Sequence, residues 1–158
     1  MQVIYVGDSK DVLNRIRTNH CNGNVEGSAL RRCVAETMGY IIKREKRPGG
    51  SIRIRIALPD YNQGEIKVSN YIRNGRWRTI LFDDYQMAND FQWYAIEKLR
   101  PLLNRKRKNY NQSMLSLYKR LLLQLKDSPL IECSNLHTVK SGPGVYVLYH
   151  LSAPHDFS

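Results

Sequence analysis

Two short apolar runs at opposite ends of the 158-residue chain constrain its fold most strongly. The first covers Val3 to Val6 and stops at Gly7, and the second covers Val145 to Tyr149 and follows a Gly-Pro-Gly sequence. A short apolar run bounded by turn residues is typical of a buried strand. If the two runs pair as antiparallel neighbours, the two chain ends meet at one edge of a sheet. Chain termini in folded domains commonly lie close together at the surface.

Between these runs the hydrophobic period changes repeatedly, as in a mixed domain of helices and strands. Either Ser9 or Asp11 can cap a first helix, and Asp83 and Asp84 fit the cap of a long later helix. The periods predict helices over 12–17, 28–39, 64–74, 88–102 and 114–125, strands over 51–58 and 77–82, and an exposed loop over 43–50. The expected fold class is α/β (α+β), a small central antiparallel sheet flanked by helices, in a single domain over residues 1–158.

The charge of the chain indicates the class of partner. It carries 25 Lys and Arg against 14 Asp and Glu, a formal net charge of +11. Such an excess favours polyanions, nucleic acid first and an anionic membrane surface second. No apolar run is long enough to span a membrane, and no basic segment followed by an apolar one marks a signal peptide. Cys21, Cys33 and Cys133 are odd in number and widely spaced, so we expect buried thiols in a reducing, cytoplasmic protein.

A constellation of residues carries a family resemblance. Tyr5-Val6-Gly7 is followed by Arg15 ten positions after the tyrosine, and Glu97 precedes Pro-Leu-Leu-Asn at 101–104. This set resembles a GIY-YIG nuclease. The Gly-Ile-Tyr-type strand, which the family carries before its Tyr-Ile-Gly strand, is matched at the other end by Gly144-Val145-Tyr146.

The resemblance implies a GIY-YIG domain in circularly permuted order. Residues 1–104 and 142–149 carry the motifs, and 105–141 form a basic linker with an accessory helix. Termini that meet at the surface make such a permutation tolerable. The alternative is that Tyr146 belongs to an ordinary strand and that its match is accidental.

The resemblance also implies roles for four residues. Glu97 matches the metal ligand, and the implied cofactor is Mg²⁺ or Mn²⁺, which binds carboxylates together with phosphate oxygens. Arg15 matches the arginine that holds the scissile phosphate, where a guanidinium can contact two oxygens at once. Tyr5 and Tyr146 match the two tyrosines, one of which is the general base, with Tyr5 slightly favoured.

His20 and Asn104 complete the predicted catalytic set. Many family members have a histidine four residues after the arginine, but Asn19 occupies that position here and His20 is fifth. His20 is therefore either a proton shuttle or phosphate contact, or a surface residue at a helix end. Asn104 matches an asparagine that orders the site by hydrogen bonding rather than by chemistry.

The remaining basic residues are candidates for nucleic-acid contacts, which would give affinity and salt dependence without sequence preference. The predicted contacts are Lys10, Arg17, Arg31, Arg32, Arg53 and Arg55. The leading interpretation is a divalent-metal-dependent endonuclease acting on double-stranded DNA, in one form a sequence-specific restriction-type enzyme, as a monomer or homodimer. The alternatives are a non-catalytic nucleic-acid-binding module that retains the fold and, more weakly, a basic protein that binds an acidic partner protein.

Overall fold

The main sheet joins the first and last strands of the chain. A computed structural model describes residues 1–157. Its four-stranded antiparallel sheet has the order β1-β6-β4-β5. The bounds are Gln2–Ser9 for β1, Arg76–Leu81 for β4, Ile131–Glu132 for β5 and Gly144–His150 for β6. The predicted mixed fold with a central antiparallel sheet is confirmed.

Strand β1 pairs with β6 along its whole length, as predicted. Gln2 lies opposite His150, Gly7 opposite Tyr146 and Ser9 opposite Gly144, with a register shift between Val3 and Tyr5. Every residue of β6 is buried, because the strand lies inside the sheet and both of its faces are covered. The apolar run therefore lacks the polar alternation of a strand with one solvated face.

The two faces of the sheet support two apolar layers. Tyr146 and Leu148 of β6 pack in one layer with Ile16, while Val145 and Val147 pack in the other. This alternation follows from the two-residue period of a strand. The first layer is covered by helices α2 (Ala29–Thr37) and α3 (Tyr61–Arg73), and the second by α4 (Tyr85–Leu99) and α5 (Leu115–Asp127).

Three helices begin at caps that the sequence predicts, whereas α3 begins at Tyr61, three residues before its predicted start. The side chains of Asp11, Ser28 and Asp84 accept hydrogen bonds from the backbone N–H groups of Asn14, Arg31 and Gln86. Each one supplies an acceptor to a helix end that otherwise lacks it. Asp11 caps a three-residue helix, α1 (Val12–Asn14), which continues directly as a π-helix over Arg15–Cys21. Within residues 1–157, no helix is long and apolar enough to cross a membrane.

The predicted loop over 43–50 is wrong for residues 43–46, and only 47–50 form a turn. Ile42–Lys46 forms β2 and pairs antiparallel with β3, Ile52–Ile56, as a separate two-stranded sheet. Four of the five residues in β2 are charged, so the sequence shows no apolar pattern there. Opposite charges are paired between β2 and β3, and Arg55 Nη2 lies 2.7 Å from Glu45 Oε1. Cross-strand ion pairs of this kind support a strand whose residue types alone favour a loop.

The chain after α4 lies along the free edge of β1. The N–H groups of Leu102 and Leu103 donate to the carbonyls of Val3 and Ile4 at 3.1 and 2.9 Å. The side-chain amide of Asn104 then takes the place of a peptide group, accepting from Val6 N and donating to Val6 O, both at 2.9 Å. These contacts agree with an ordering role for Asn104.

Gly7 is a position in the paired strands where we expect little tolerance of a larger side chain. A Cβ on this residue would lie 2.9 Å from Tyr146 Cε2 and closer still to the phenol oxygen. Gly7→Ala should therefore lower the free energy of unfolding by about 2 kcal/mol, the usual cost of overpacking. Gly49→Ala is the control, since a Cβ there meets no atom within 4 Å. Equal unfolding free energies for the two variants in urea would contradict this packing.

Candidate active site

The centre of the site is a chain of hydrogen bonds through buried His20. The Nε2 atom of His20 lies 2.7 Å from the Tyr146 hydroxyl, and Nδ1 lies 2.7 Å from Ser28 Oγ. His20 and Ser28 are 0% exposed and Tyr146 is 1% exposed. The possibility that His20 is a surface residue at a helix end is therefore wrong.

The π-helix explains how a histidine one position late still reaches the site. His20 lies five residues after Arg15, and in an α-helix that spacing puts two side chains about 140° apart. A π-helix closes i to i+5 hydrogen bonds, so residues five apart share one face. The seven π-helical residues Arg15–Cys21 thus bring Arg15 and His20 to the same side.

Three contacts hold the end of the π-helix. Arg31 Nη1 donates to the carbonyl of His20 at 2.9 Å, and Arg73 Nε donates to that of Cys21 at 3.2 Å. The thiols of Cys21 and Cys133 lie 3.0 Å apart, although 112 positions separate them in the sequence. The two arginine contacts satisfy carbonyls at a helix end, where backbone acceptors otherwise lack partners, and the thiol contact ties this end to a distant segment.

Aromatic rings surround His20 and set its charge. Its ring stacks on Trp77 at 6.1 Å between centroids, and Tyr5 meets it edge-on at 6.2 Å. Burial lowers the pKa of His20 well below its usual range, and the positive charges of Arg15 and Arg31 lower this pKa further. The ring is therefore neutral at pH 7, with one nitrogen donating and the other accepting.

A neutral His20 allows two directions of hydrogen bonding. Ser28 Oγ already accepts from the N–H of Arg31 at 3.1 Å, so its own hydrogen can be donated to His20 Nδ1. His20 Nε2–H then donates to Tyr146. In the reverse arrangement Tyr146 donates to Nε2 and Nδ1–H donates to Ser28. The second direction gives the Tyr146 proton an acceptor.

Arg15 lies at the edge of this cluster. Its side chain is half-buried, and Nη1 donates to the carbonyl of Gly27 at 3.0 Å. Burial raises the pKa of both Tyr5 and Tyr146, and the positive charge of Arg15 opposes that rise in each case. Both phenols are therefore protonated at pH 7 in the free protein.

A cavity of about 380 Å³ opens beside Tyr5. Its lining includes Asp8, Gln92 and Asn104 together with Tyr5. Asp8 Oδ2 accepts from Asn89 Nδ2 at 2.8 Å, and Gln92 is almost fully buried. The cavity thus combines a phenol, a carboxylate and two amides next to the His20 cluster, which shares Tyr5 with it.

Glu97, contrary to the prediction, does not join these residues. It is exposed, accepts a hydrogen bond from the Tyr110 hydroxyl, and lines a different cavity with Arg100. The physical reason is the helical period. Glu97 is five residues after Gln92 on α4, so the two side chains point about 140° apart. Helix α4 therefore presents Gln92 to the Tyr5 cavity and Glu97 away from it.

The donor chemistry of the Tyr5 cavity fits a hard divalent cation through Asp8. Mg²⁺ takes oxygen ligands and is commonly held by one or two carboxylates with substrate phosphates. Asp8 supplies one carboxylate, and Gln92 can add an amide oxygen. Residues 1–157 contain no cluster of three or more His, Cys, Asp or Glu side chains arranged to hold a metal. Glu97 does not fit, because Arg100, Arg107 and Lys108 line its cavity.

One predicted nucleic-acid contact is buried. Arg31 is 0% exposed. Its guanidinium lies 2.8 Å from Glu65 Oε1 and donates to Ser69 Oγ at 2.9 Å. This buried ion pair supports the His20 segment, so Arg31 is not part of a nucleic-acid surface, contrary to the prediction. Neighbouring Arg32 lines the Tyr5 cavity and donates to the carbonyl of Val25 at 2.8 Å.

The other predicted contacts lie at the surface. Lys10, Arg17 and Arg53 are exposed, and the Lys10 ammonium lies 5.5 Å from the centre of the Tyr85 ring. Arg55 is half-buried and paired with Glu45. Lys10, Arg17 and Arg53 are therefore more accessible to a polyanion than Arg55.

Sequence reasoning missed Ser28, Trp77 and Gln92 as members of the site. Ser28 was recognisable as a helix cap, but its second contact, with His20, depends on the π-helix. The sequence around Trp77 indicates a strand and no contact with a histidine. Gln92 lies on α4, nine residues before Pro101, and only the orientation of the helix reveals that it faces the cavity.

Comparison with known proteins identifies the family. A family model described as the GIY-YIG catalytic domain matches residues 1–128. No curated protein and no solved structure matches the chain. The matched residues include Tyr5, Arg15, His20 and Asn104, whereas Tyr146 lies beyond them.

Buried His20 should make stability depend on pH. Unfolded histidine has a pKa of about 6.5, and the pKa of folded His20 is lower, so below about pH 6.5 the unfolded chain binds a proton that the folded chain does not. Stability therefore falls as the pH falls through this value, by at most about 1.4 kcal/mol per pH unit for this group.

His20→Asn should reduce this loss, measured by urea unfolding at about pH 7.5 and about pH 5.5, by about 1 kcal/mol. His150, whose pKa is also lowered by burial, remains in both proteins. His155→Asn is the control because His155 is exposed. A pH dependence in the His20→Asn protein equal to that of the wild type would contradict the neutral, buried imidazole.

Proposed function

The chain belongs to the GIY-YIG family, and we propose that it is a divalent-metal-dependent endonuclease that hydrolyses phosphodiester bonds of double-stranded DNA. The observation that carries this proposal is the 2.7 Å hydrogen bond between the Tyr146 hydroxyl and Nε2 of buried His20, with Arg15 on the same face of the π-helix. Together they provide a proton acceptor and, beside it, a cation. Water that attacks a phosphodiester needs the first to remove its proton and the second to neutralise the phosphate charge.

Arg15 is the proposed phosphate ligand. Its guanidinium remains charged and presents several donors in one plane, which suits two oxygens of a phosphate. The backbone carbonyl of Gly27 fixes one of these donors. Because negative charge grows on the phosphate oxygens in the transition state, a fixed cation there stabilises that state more than the ground state.

Tyr146 and His20 are the proposed proton acceptors. We therefore propose Tyr146 as the general base in place of Tyr5, because Tyr146 is the tyrosine that is hydrogen-bonded to His20. The Tyr146 phenol passes its proton to Nε2 as it takes one from the attacking water. A phosphate at Arg15 offsets the charge that lowers the pKa of His20, so substrate binding makes the imidazole a better base. Because Tyr146 is almost fully buried, we infer that water enters with the substrate.

Asp8 is the proposed metal ligand in place of Glu97. A divalent ion at Asp8 would neutralise phosphate charge and help to ionise a water molecule. Asp8 lines the same cavity as Tyr5, where it receives a hydrogen bond from Asn89 that fixes its orientation. Tyr5 would then contact the substrate from the cavity wall.

The order of the strands supports a circular permutation. The pairing of Gly7 with Tyr146 puts the Tyr-Val-Gly and Gly-Val-Tyr strands side by side, and β6 lies between β1 and β4 in the sheet. We infer that one GIY-YIG domain is formed from both ends of the chain, with β6 supplying the strand that lies outside the matched residues 1–128.

One observation favours a second function, that of a nucleic-acid-binding module without catalysis. The side chain that α4 presents to the Tyr5 cavity is the amide of Gln92, not a carboxylate. A site with one carboxylate binds a divalent ion more weakly than a site with two, and a drifted site of this kind could retain binding alone.

Cleavage of phage genomic DNA and supercoiled plasmid tests the first function directly. We expect cutting with Mg²⁺ or Mn²⁺ and none with chelator. Tyr146→Phe and Arg15→Lys should each lower the rate at least about 100-fold, as expected for the loss of a transition-state contact. Glu97→Gln is the matched control and should cut at the wild-type rate. Discrete bands would indicate a sequence-specific, restriction-type enzyme.

Two outcomes would contradict this account. Loss of cutting in Glu97→Gln would indicate that Glu97, and not Asp8, is the metal ligand. Tight, salt-dependent binding of DNA by the wild type without any cutting would favour the binding module, and Arg15 and Tyr146 would then be architectural.

Metal binding provides a separate prediction. Asp8→Asn should abolish binding of Mn²⁺ measured by electron paramagnetic resonance, and Gln92→Glu should strengthen it about tenfold or more by adding a second carboxylate. Glu97→Gln should leave Mn²⁺ affinity unchanged. The same Mn²⁺ affinity in Asp8→Asn as in the wild type would exclude Asp8 as the ligand.

A further inference from the structure

A second cavity adjoins the proposed active site. Its volume is about 490 Å³, and its lining comprises Trp93, Glu97, Arg100, Arg107, Lys108 and Asn109. Trp93 also lines the Tyr5 cavity, so one indole is common to both. A ligand that extends from the first cavity past Trp93 therefore enters the second.

The second cavity combines an aromatic face with positive charge. Lys108 Nζ lies 5.2 Å from the centre of the Trp93 ring, and Arg100 and Arg107 bring the number of cations to three against one carboxylate, Glu97. Glu97 is itself engaged by the Tyr110 hydroxyl. Aromatic faces for bases, placed among cations for phosphates, are the features by which proteins bind unpaired nucleotides.

Arg100 occupies a backbone conformation that is costly for arginine. Its φ of 49° and ψ of 60° are left-handed, and no other non-glycine residue within 1–157 has a positive φ. Glycine is the usual residue at such a helix end because it has no Cβ to clash. Strain of this kind concentrates at functional sites, and here it coincides with a cation that lines the second cavity.

A rigid connection links the second cavity to the first. Arg107 Nη1 donates to the carbonyl of Asn104 at 3.1 Å, and the side chain of Asn104 is fixed to both backbone groups of Val6. Arg107 is thus bonded to the segment that is fixed to β1, the strand that carries Tyr5.

We propose that the second cavity binds one unpaired nucleotide, in a single strand or flipped out of a duplex, with the base on Trp93 and the phosphate against Arg100, Arg107 and Lys108. The position of this nucleotide beside the scissile bond rests on the proposed function. The binding of the nucleotide does not depend on the proposed function, because neither Trp93 nor the three cations take part in hydrolysis. The proposal assigns a role to the basic segment after Asn104, for which the family resemblance implies none.

The fluorescence of Trp93 tests contact with the base. A short oligothymidylate is added in the presence of chelator, and its binding is followed independently by the anisotropy of a labelled copy. We expect the wild-type emission to change on saturation by much more than that of Trp93→Phe, because the remaining Trp77 is fully buried and lies outside the second cavity. Unchanged wild-type emission at saturation, or no binding of the oligonucleotide, would overturn the proposal.

The salt dependence of binding tests the cations. Removing two phosphate contacts should lower the slope of log K against log salt by about 1.4 for a single strand. We expect this decrease, with at least a tenfold loss of affinity, for the double variant Arg107→Ser, Lys108→Ser. The control Lys119→Ser, Arg120→Ser removes the same charge from exposed positions on α5. Equal effects of the two double variants would overturn the proposal.

Arg100→Gly separates stability from binding. It relieves the left-handed strain and removes the cation, so the melting temperature should rise while the affinity for the oligonucleotide falls at least threefold. A variant that is merely misfolded would lose both. Unchanged affinity in a stabilised Arg100→Gly protein would overturn the assignment of Arg100.

The subsite and the nuclease fail separately. A protein that cuts no DNA but shows the Trp93 response supports the subsite and contradicts only the proposed hydrolysis. A protein that cuts DNA without any Trp93 response overturns the subsite alone.

Discussion

The site depends on the contact between Gly7 of β1 and Tyr146 of β6, which are partners in the strand register. A glycine is required because the phenol of Tyr146 occupies the space of a Cβ, and the register fixes the phenol over the first strand. The same phenol is then within 2.7 Å of His20 Nε2. Pairing between the two ends of the chain thus creates the hydrogen-bonded centre, and neither strand contains that centre alone.

The second constraint is the geometry of the segment that carries Arg15 and His20. A π-helix is rare in proteins and occurs frequently at functional sites. Here it restores the shared face that five-residue spacing would lose in an α-helix. The contacts at its end, from Arg31 to His20 O and from Arg73 to Cys21 O, support this unusual turn. Buried Arg31 therefore contributes to the site by positioning the backbone of His20 and not by contact with nucleic acid.

Much of the fold could be predicted from local chemistry. Strands β1 and β6 are apolar and bounded by turn residues, and Asp11, Ser28 and Asp84 are good caps. Strand β2 could not be predicted, because its charges are balanced by a neighbouring strand that its own residues do not reveal. Residue identity in the sequence singles out Tyr5, Arg15 and Tyr146, and the structure brings all three to His20. The site was not predictable where it depends on orientation. Spacing along the sequence favoured Glu97, but the rotation of α4 turns Gln92 toward the cavity.

The central claim is that the reacting phosphate lies against Arg15, between Tyr146 and the Asp8 cavity. The most direct measurement is a crystal structure of the Tyr146→Phe protein with a short DNA duplex. We predict a backbone phosphate within hydrogen-bonding distance of the Arg15 guanidinium, with the strand continuing past Tyr5. A duplex whose nearest phosphate contacts the Glu97 cavity and leaves Arg15 bonded only to Gly27 would contradict the account.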